Sequence, residues 1–199
     1  MGLSTVTPPA TEPVTVVEAK SHCRIDVSED DGLIAGYIVA AREWVENATH
    51  LRLVTQTLDM TIDDDWPCVL ARGYYRQRIE FPVKPVASVT SVTYVDENGA
   101  TQTLNSSQYV VRTDGAVAFI EPAYNVTWPN VRRQSSAITV RFVAGQADSA
   151  VPNTLTQAIR LLTAHQHEQR QPVVVGTSVS ELPLAIEALI SSHRFTRLA

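Results

Sequence analysis

The chain has 199 residues, 44% of them hydrophobic, enough for one large domain or two small ones around a core that needs no covalent staples. Its formal net charge of −5, with 21 acidic against 16 basic side chains, argues against a protein that grips nucleic acid through a basic face. Two cysteines, Cys23 and Cys68, fit buried, reduced thiols in a cytoplasm better than a disulfide framework, and no apolar run approaches the length of a membrane span.

Met1 to Pro13 carries three prolines and three threonines and is expected to be a flexible arm. It has no basic segment followed by an apolar run, and Val6 stands where a myristoylation signal needs Ser or Thr, so neither export nor lipidation is expected. Thr15-Val16-Val17-Glu18 has the spacing of a capping box and predicts a short helix to about His22. Ser28, then Glu29-Asp30-Asp31, places a cap and three carboxylates at the positive end of a second helix. Along it Leu33, Ile34, Tyr37, Ile38, Ala41, Val45 and Ala48 recur at helical spacing as one apolar stripe, ending near Thr49.

From Leu53 the period changes to two. Val54, Leu58, Met60 and Ile62 alternate with polar residues, and Asp63-Asp64-Asp65-Trp66-Pro67 ends the strand. A second strand is expected from about Tyr75 to Phe81, stopped by Pro82 and Pro85, which cannot donate ladder hydrogen bonds. Val89 to Val95 follows, with Asn98-Gly99 as the hairpin turn into Thr101 to Leu104. Tyr109 to Arg112 and Ala116 to Ile120 make another hairpin around Asp114-Gly115, and Ile138 to Val143 is the last strand, closed by Gly145. About seven short strands suggest an antiparallel sandwich or barrel.

Helix returns at Pro152, with Leu155, Ala158, Ile159 and Leu162 on the buried face of a segment ending near Arg170. Gln171 to Ser180 is expected to be a loop or mobile β segment, and Pro183 opens a final helix. The expected fold is therefore α+β: residues 14–50 and 147–199 form a discontinuous helical domain, and residues 51–146 an inserted β-sandwich or barrel-like module.

Chemistry is sparse. His165 and His167 are two apart on a helix and cannot face one ion, and Asp63 to Asp65 lacks the ligand spacing and turn glycine of a calcium loop. Cys23 beside His22 points away from it. No Gly-rich phosphate loop, G-x-S-x-G elbow or metal-binding cysteine pair occurs. Neither an enzyme nor a cofactor or metal protein is expected.

The ordered motifs carry a resemblance. Phe81-Pro82-Val83-Lys84-Pro85-Val86 with Ser88-Val89-Thr90-Ser91-Val92-Thr93-Tyr94, then Asp96-Glu97-Asn98-Gly99, resembles the middle signature of the longer head–tail connector (adaptor) proteins of tailed bacteriophages and gene transfer agents. Val151-Pro152 with the following helix, and Leu182-Pro183-Leu184 with Glu187-Ala188-Leu189-Ile190, continue the likeness over roughly residues 14 to 195. The resemblance implies a structural subunit made in the bacterial cytoplasm and built into a particle at the head–tail junction. There a dodecameric ring would sit beneath the portal protein, extend the channel for double-stranded DNA without reading its sequence, and receive a stopper or tail-completion protein. An acidic wall that DNA slides past suits that role. It also implies that the C-terminal segment docks on the portal, through Leu182, Pro183, Leu184, Leu189, Ile190 and Arg194, and that the helix from Thr154 to Arg170 is part of the ring wall. A tail-terminator or stopper-like protein of the same particle is the alternative.

Overall fold

A computed structural model describes residues 1–64, 66–71, 74–168 and 184–195; for 68–71, 74–76 and 184 it describes the backbone alone. In chain order the elements are β1 (Gly2–Thr7), α1 (Val16–Cys23), α2 (Asp31–Thr49), β2 (Gln56–Ile62), β3 (Cys68–Ala71), β4 (Tyr74–Gln77), β5 (Ile79–Glu80), β6 (Val86–Val95), β7 (Thr101–Thr103), β8 (Tyr109–Arg112), β9 (Phe119–Pro122), β10 (Ile138–Ala144), α3 (Asn153–Glu168) and α4 (Leu184–Ser191). The protein is α+β, and every pairing between these strands is antiparallel. The chain divides into two compact units: Met1–Pro9 with Thr55–Gly145, and Ala10–Val54 with the chain from Gln146 on.

The first unit is built on a five-stranded sheet in the order β1-β2-β10-β6-β7, accompanied by the three-stranded sheet β5-β9-β8 and the hairpin β3-β4. These sheets do not close into a barrel among the described residues, which corrects that part of the expectation. The alternation read from the sequence sets the register. Leu58, Met60 and Ile62 of β2 stand opposite Phe142, Val140 and Ile138 of β10, so both strands turn their apolar residues to one face. That face is closed by Ile79, Phe81 and Ile120, and the Phe81 and Phe142 rings tilt against each other at 4.7 Å between centroids. Trp66 stacks on Trp128 at 4.4 Å, and their indole N–H groups reach the Pro129 and Gln77 carbonyls.

Four local expectations change. Met1 to Thr7 is not an arm: Gly2–Thr7 pairs with β2, Leu3 packs on the core, and the Met1 ammonium lies 3.0 Å from Asp63. Alternating Leu3 and Thr5 against Met60 and Leu58 is what a strand edge needs, a signal hidden in the sequence by the flanking prolines. The strand expected over Tyr75 to Phe81 is two, split at Arg78, because β4 pairs with β3 and β5 with β9. And β3 itself, carrying Cys68, had no alternation to announce it. Of the two expected hairpins, the one around Asp114-Gly115 is wider than its residues suggest, with Arg112 opposite Phe119 and the returning strand starting at Phe119, not Ala116. The Asn98–Gly99 turn behaves as its residues require. Asp96 accepts the Asn98 and Ala100 N–H groups, and Gly99 sits at φ +87°, where a Cβ would meet Arg132 at 2.7 Å.

The second unit is helical. Thr15 and Glu18 form the capping box, with Glu18 N–H donating to the Thr15 hydroxyl at 3.2 Å and Thr15 N–H to the Glu18 carboxylate at 2.8 Å. Ile34, Ile38, Ala41 and Val45 of α2 pack with Leu155, Ala158, Ile159 and Leu162 of α3. Leu33, expected in the stripe, is 41% exposed, and Asp30, not Ser28, is the N-cap of α2, with no side-chain capping bond. The expected end of the third helix at Arg170, the Gln171 to Ser180 loop and the Pro183 start lie outside the described residues.

Candidate assembly interface

The residues expected to meet a partner lie mainly on α4 and just beyond it. Leu182 and Pro183 lie outside the described residues, and Leu184 begins α4. Ile190 is fully buried in the helical core, and Ile186 beside it is 1% exposed. Leu189 is half-buried against the same core, while Glu187, Ala188 and Arg194 are exposed. Phe195 is buried, and its N–H donates to the Thr49 carbonyl at 2.8 Å. His193 shares a 2.7 Å hydrogen bond with the Thr154 hydroxyl at the start of α3. The side chain of Ile190 therefore holds α4 on its own chain, while Glu187 and Ala188 on α4, and Arg194 beyond its end, face outward. The spacing of Ile186 and Ile190, four apart, was the available signal for the anchored face.

A second feature escaped the sequence entirely. Arg42 and Glu46, both on α2 and both 3% exposed, form a buried ion pair at 3.0 Å. Arg42 Nε also donates to Glu12 at 2.7 Å, and the other Glu46 oxygen accepts the Leu53 N–H at 2.8 Å. Arg52 stands 3.8 Å from Glu46, and burial pulls its guanidinium below the usual arginine value while Glu46 opposes the shift. The cluster ties the segment before α1 and the segment after α2 to the middle of α2. Glu12 and Arg42 are thirty residues apart, and no periodicity announces such a pair.

Groups considered for chemistry are placed as follows. His167 Nε2 lies 3.6 Å from Asp30, an ion-pair distance. The Cys23 thiol is pushed up first by burial and then by the Glu168 charge, the opposite of what a nucleophile needs. Asp63 accepts the Ser136 N–H at 2.8 Å and is held below the usual carboxylate range chiefly by that bond. Asp64 takes a left-handed backbone at φ +62° and donates its N–H to Gln134; Asp65 lies outside the described residues.

The model of the phage gp6-like head-tail connector proteins matches residues 13–116, more than half of the chain. The chain belongs to the phage gp6-like head-tail connector family. Membership assigns this connector a structural role at the head–tail junction of a phage-type particle. No curated protein matches the chain. Among solved structures, this connector is similar to a chain of the neck of an empty gene transfer agent particle computed with C6 symmetry, at 23% identity and TM-score 0.76. It is similar also to chains of the virion of a native gene transfer agent particle (23%, TM-score 0.75) and of the neck of a native particle computed with C12 symmetry (24%, TM-score 0.75). Each likeness covers 100% of this connector and 98% of the other chain, so the whole fold is shared, both units included.

Proposed function

We propose that this connector assembles as a ring, dodecameric in the particle, beneath a portal vertex, where it lengthens the DNA channel and presents a platform to a stopper or tail-completion protein. The observation that carries the reading is the family match together with a fold shared over full length with chains of particle necks computed with sixfold and twelvefold symmetry. The helical unit, from Ala10–Val54 and the chain from Gln146 on, supplies the ring body in this reading, and the β unit, Met1–Pro9 with Thr55–Gly145, faces a neighbour. The net charge of −5 suits a channel wall, since a strongly basic lumen would retain phosphates that must slide. The C-terminal segment docks on the portal through the side of α4 not used for self-anchoring, with Arg194 as an exposed charge and residues 182–184 leading in.

The test is recruitment. Purified connector mixed with DNA-filled heads carrying the cognate portal should add as a ring visible by electron microscopy, and Arg194→Glu should weaken that recruitment without unfolding the chain. Heads that take up no connector under conditions supporting particle assembly would overturn the reading.

A further inference from the structure

We infer that neighbouring copies join through their β units, strand β1 of one copy adding antiparallel to the first half of β6 of the next. This rests on the ring reading above and names the contact that would close the ring. The five-stranded sheet has an edge at β1, whose described pairing is with β2 alone. Its other side is stepped. β7 covers β6 from Thr93 to Val95, and Leu104 N–H reaches Val92, so Val86 to Ser91 pairs with β10 on one side and meets no strand on the other among the described residues.

The two open edges match in direction, length and chemistry. Each pairing from β1 through β2, β10 and β6 is antiparallel, so β1 and β6 run in opposite directions within one sheet. Extending that sheet head to tail therefore sets β1 of one copy antiparallel to β6 of the next. Gly2–Thr7 is six residues long and reads GLSTVT; Val86 to Ser91 is also six and reads VASVTS. Neither contains a charge or an internal proline, two of the devices by which sheet edges repel other strands. Both edges carry irregularities, β1 between Thr5 and Thr7 and β6 beside Ala87 and beside Thr90, so the regular pairing is expected to centre on Leu3 and Ser4 against Val89 and Ser88.

Side-chain faces fix the register, because a slip of one residue would turn apolar groups outward. Leu3 stands opposite Met60 and Val89 opposite Phe142, so both lie on the core-facing side of the sheet. Both are half-buried hydrophobics packed at the rim of that core. Ser4, opposite Asp59, and Ser88, opposite Val143, lie on the outer side and are exposed. Setting Leu3 against Val89 also sets Ser4 against Ser88. The contact thus completes the burial of two partly covered apolar residues and satisfies backbone groups of both open edges by strand addition. It is heterologous, one edge meeting a different edge, and that kind of contact closes rings where a twofold one gives dimers.

The experiment compares free connector with connector assembled on portal-bearing heads. In assembled rings, the backbone amides of Val86 to Ser91 should slow in hydrogen exchange relative to the free chain. A chain with Ser4→Cys and Ser88→Cys, made with Cys23→Ser and Cys68→Ser, should give a ladder of disulfide-linked multimers on oxidation; directly opposed residues fall within disulfide reach. Either cysteine alone should stop at dimers or fewer. Rings that form normally with neither slowed exchange of the native chain nor a ladder would overturn the β1–β6 contact and leave the ring reading standing. If the native connector forms no ring on the heads, the contact falls together with that reading.

Discussion

Arg42 and Glu46 face each other one turn apart on α2 at 3.0 Å, with 4% of each side chain exposed. Each holds a second partner outside the helix, Glu12 for Arg42 and the Leu53 N–H for Glu46. Glu46→Leu takes the i+4 partner from a buried guanidinium and the acceptor from the Leu53 N–H, so it should cost about 3–5 kcal/mol although Arg42 keeps Glu12. Arg42→Met added to Glu46→Leu should recover part of that loss, because it removes the half-paired charge. Urea unfolding of both variants measures the difference; equal stability of the single and double variants would show that the charges are not coupled.

Thr15→Ala removes the capping hydroxyl at α1 and frees Glu18 from one partner. The expected loss is about 1 kcal/mol. Arg160, 3.0 Å from the other Glu18 oxygen, should keep the α1–α3 contact in place, so helix content by circular dichroism should scarcely change.

Two glycines on α2 should give the opposite sign to one on the hairpin. A Cβ at Gly32 or Gly36 meets nothing within 4 Å, and helical glycine is costly, so Gly36→Ala should stabilise the free chain by about 0.5–1 kcal/mol. Gly99→Ala should destabilise it, since φ there is +87° and the new methyl would press on Arg132. Thermal unfolding of the two variants gives both signs at once.

Acid should weaken the fold through three exposed carboxylates. Glu18 is held below its ordinary value mainly by the Thr15 N–H, Asp63 by the Ser136 N–H, and Asp96 by the Gln102 amide and then the Ala100 N–H. A lowered folded value means that the unfolded chain binds more protons. Their contribution is therefore present above the ordinary values of 4.5 for Glu and 3.8 for Asp, and is lost as pH falls through the folded ones. Asp96→Asn should lose more stability at pH 7 than at pH 2, measured by urea midpoints at the two pH values.

The α4 anchor separates folding from docking. Ile186→Ala removes a side chain that is 1% exposed and should cost about 2–5 kcal/mol, with portal recruitment falling only as the protein unfolds. Ala188→Arg, on the exposed side, should leave the urea midpoint unchanged while altering recruitment. Deleting residues 182–199 confounds the two effects, because it takes Ile186 and Ile190 out of the helical core. Unaltered recruitment by Ala188→Arg would argue that this side of α4 meets nothing.

Regular periodicity was legible. The α2 and α3 stripes, the Thr15–Glu18 box, the Asn98–Gly99 turn and the alternation of β2 and β10 all appear where their spacing puts them, because each is decided by neighbours within four residues or by one face of burial. The order of motifs from Phe81 to Tyr94 was enough to suggest the connector family. Elements without local punctuation were not legible. β3 has no alternating pattern, and the break at Arg78 exists because two different sheets claim the residues on either side.

By itself, then, the sequence determined the α+β class, the principal helices and strands, and a chain poor in catalytic groupings. The tertiary structure decided what long-range pairing alone can supply. It turned the proline-flanked start of the chain into an edge strand, because β2 offered Met60 and Leu58 to Leu3 and Thr5. It buried Arg42 and Glu46 by bringing Glu12 and Leu53 to them, and it gave Ile190 an anchoring place in the helical core. Each outcome depends on which surfaces meet, and the free energy of that meeting belongs to residues far apart along the chain.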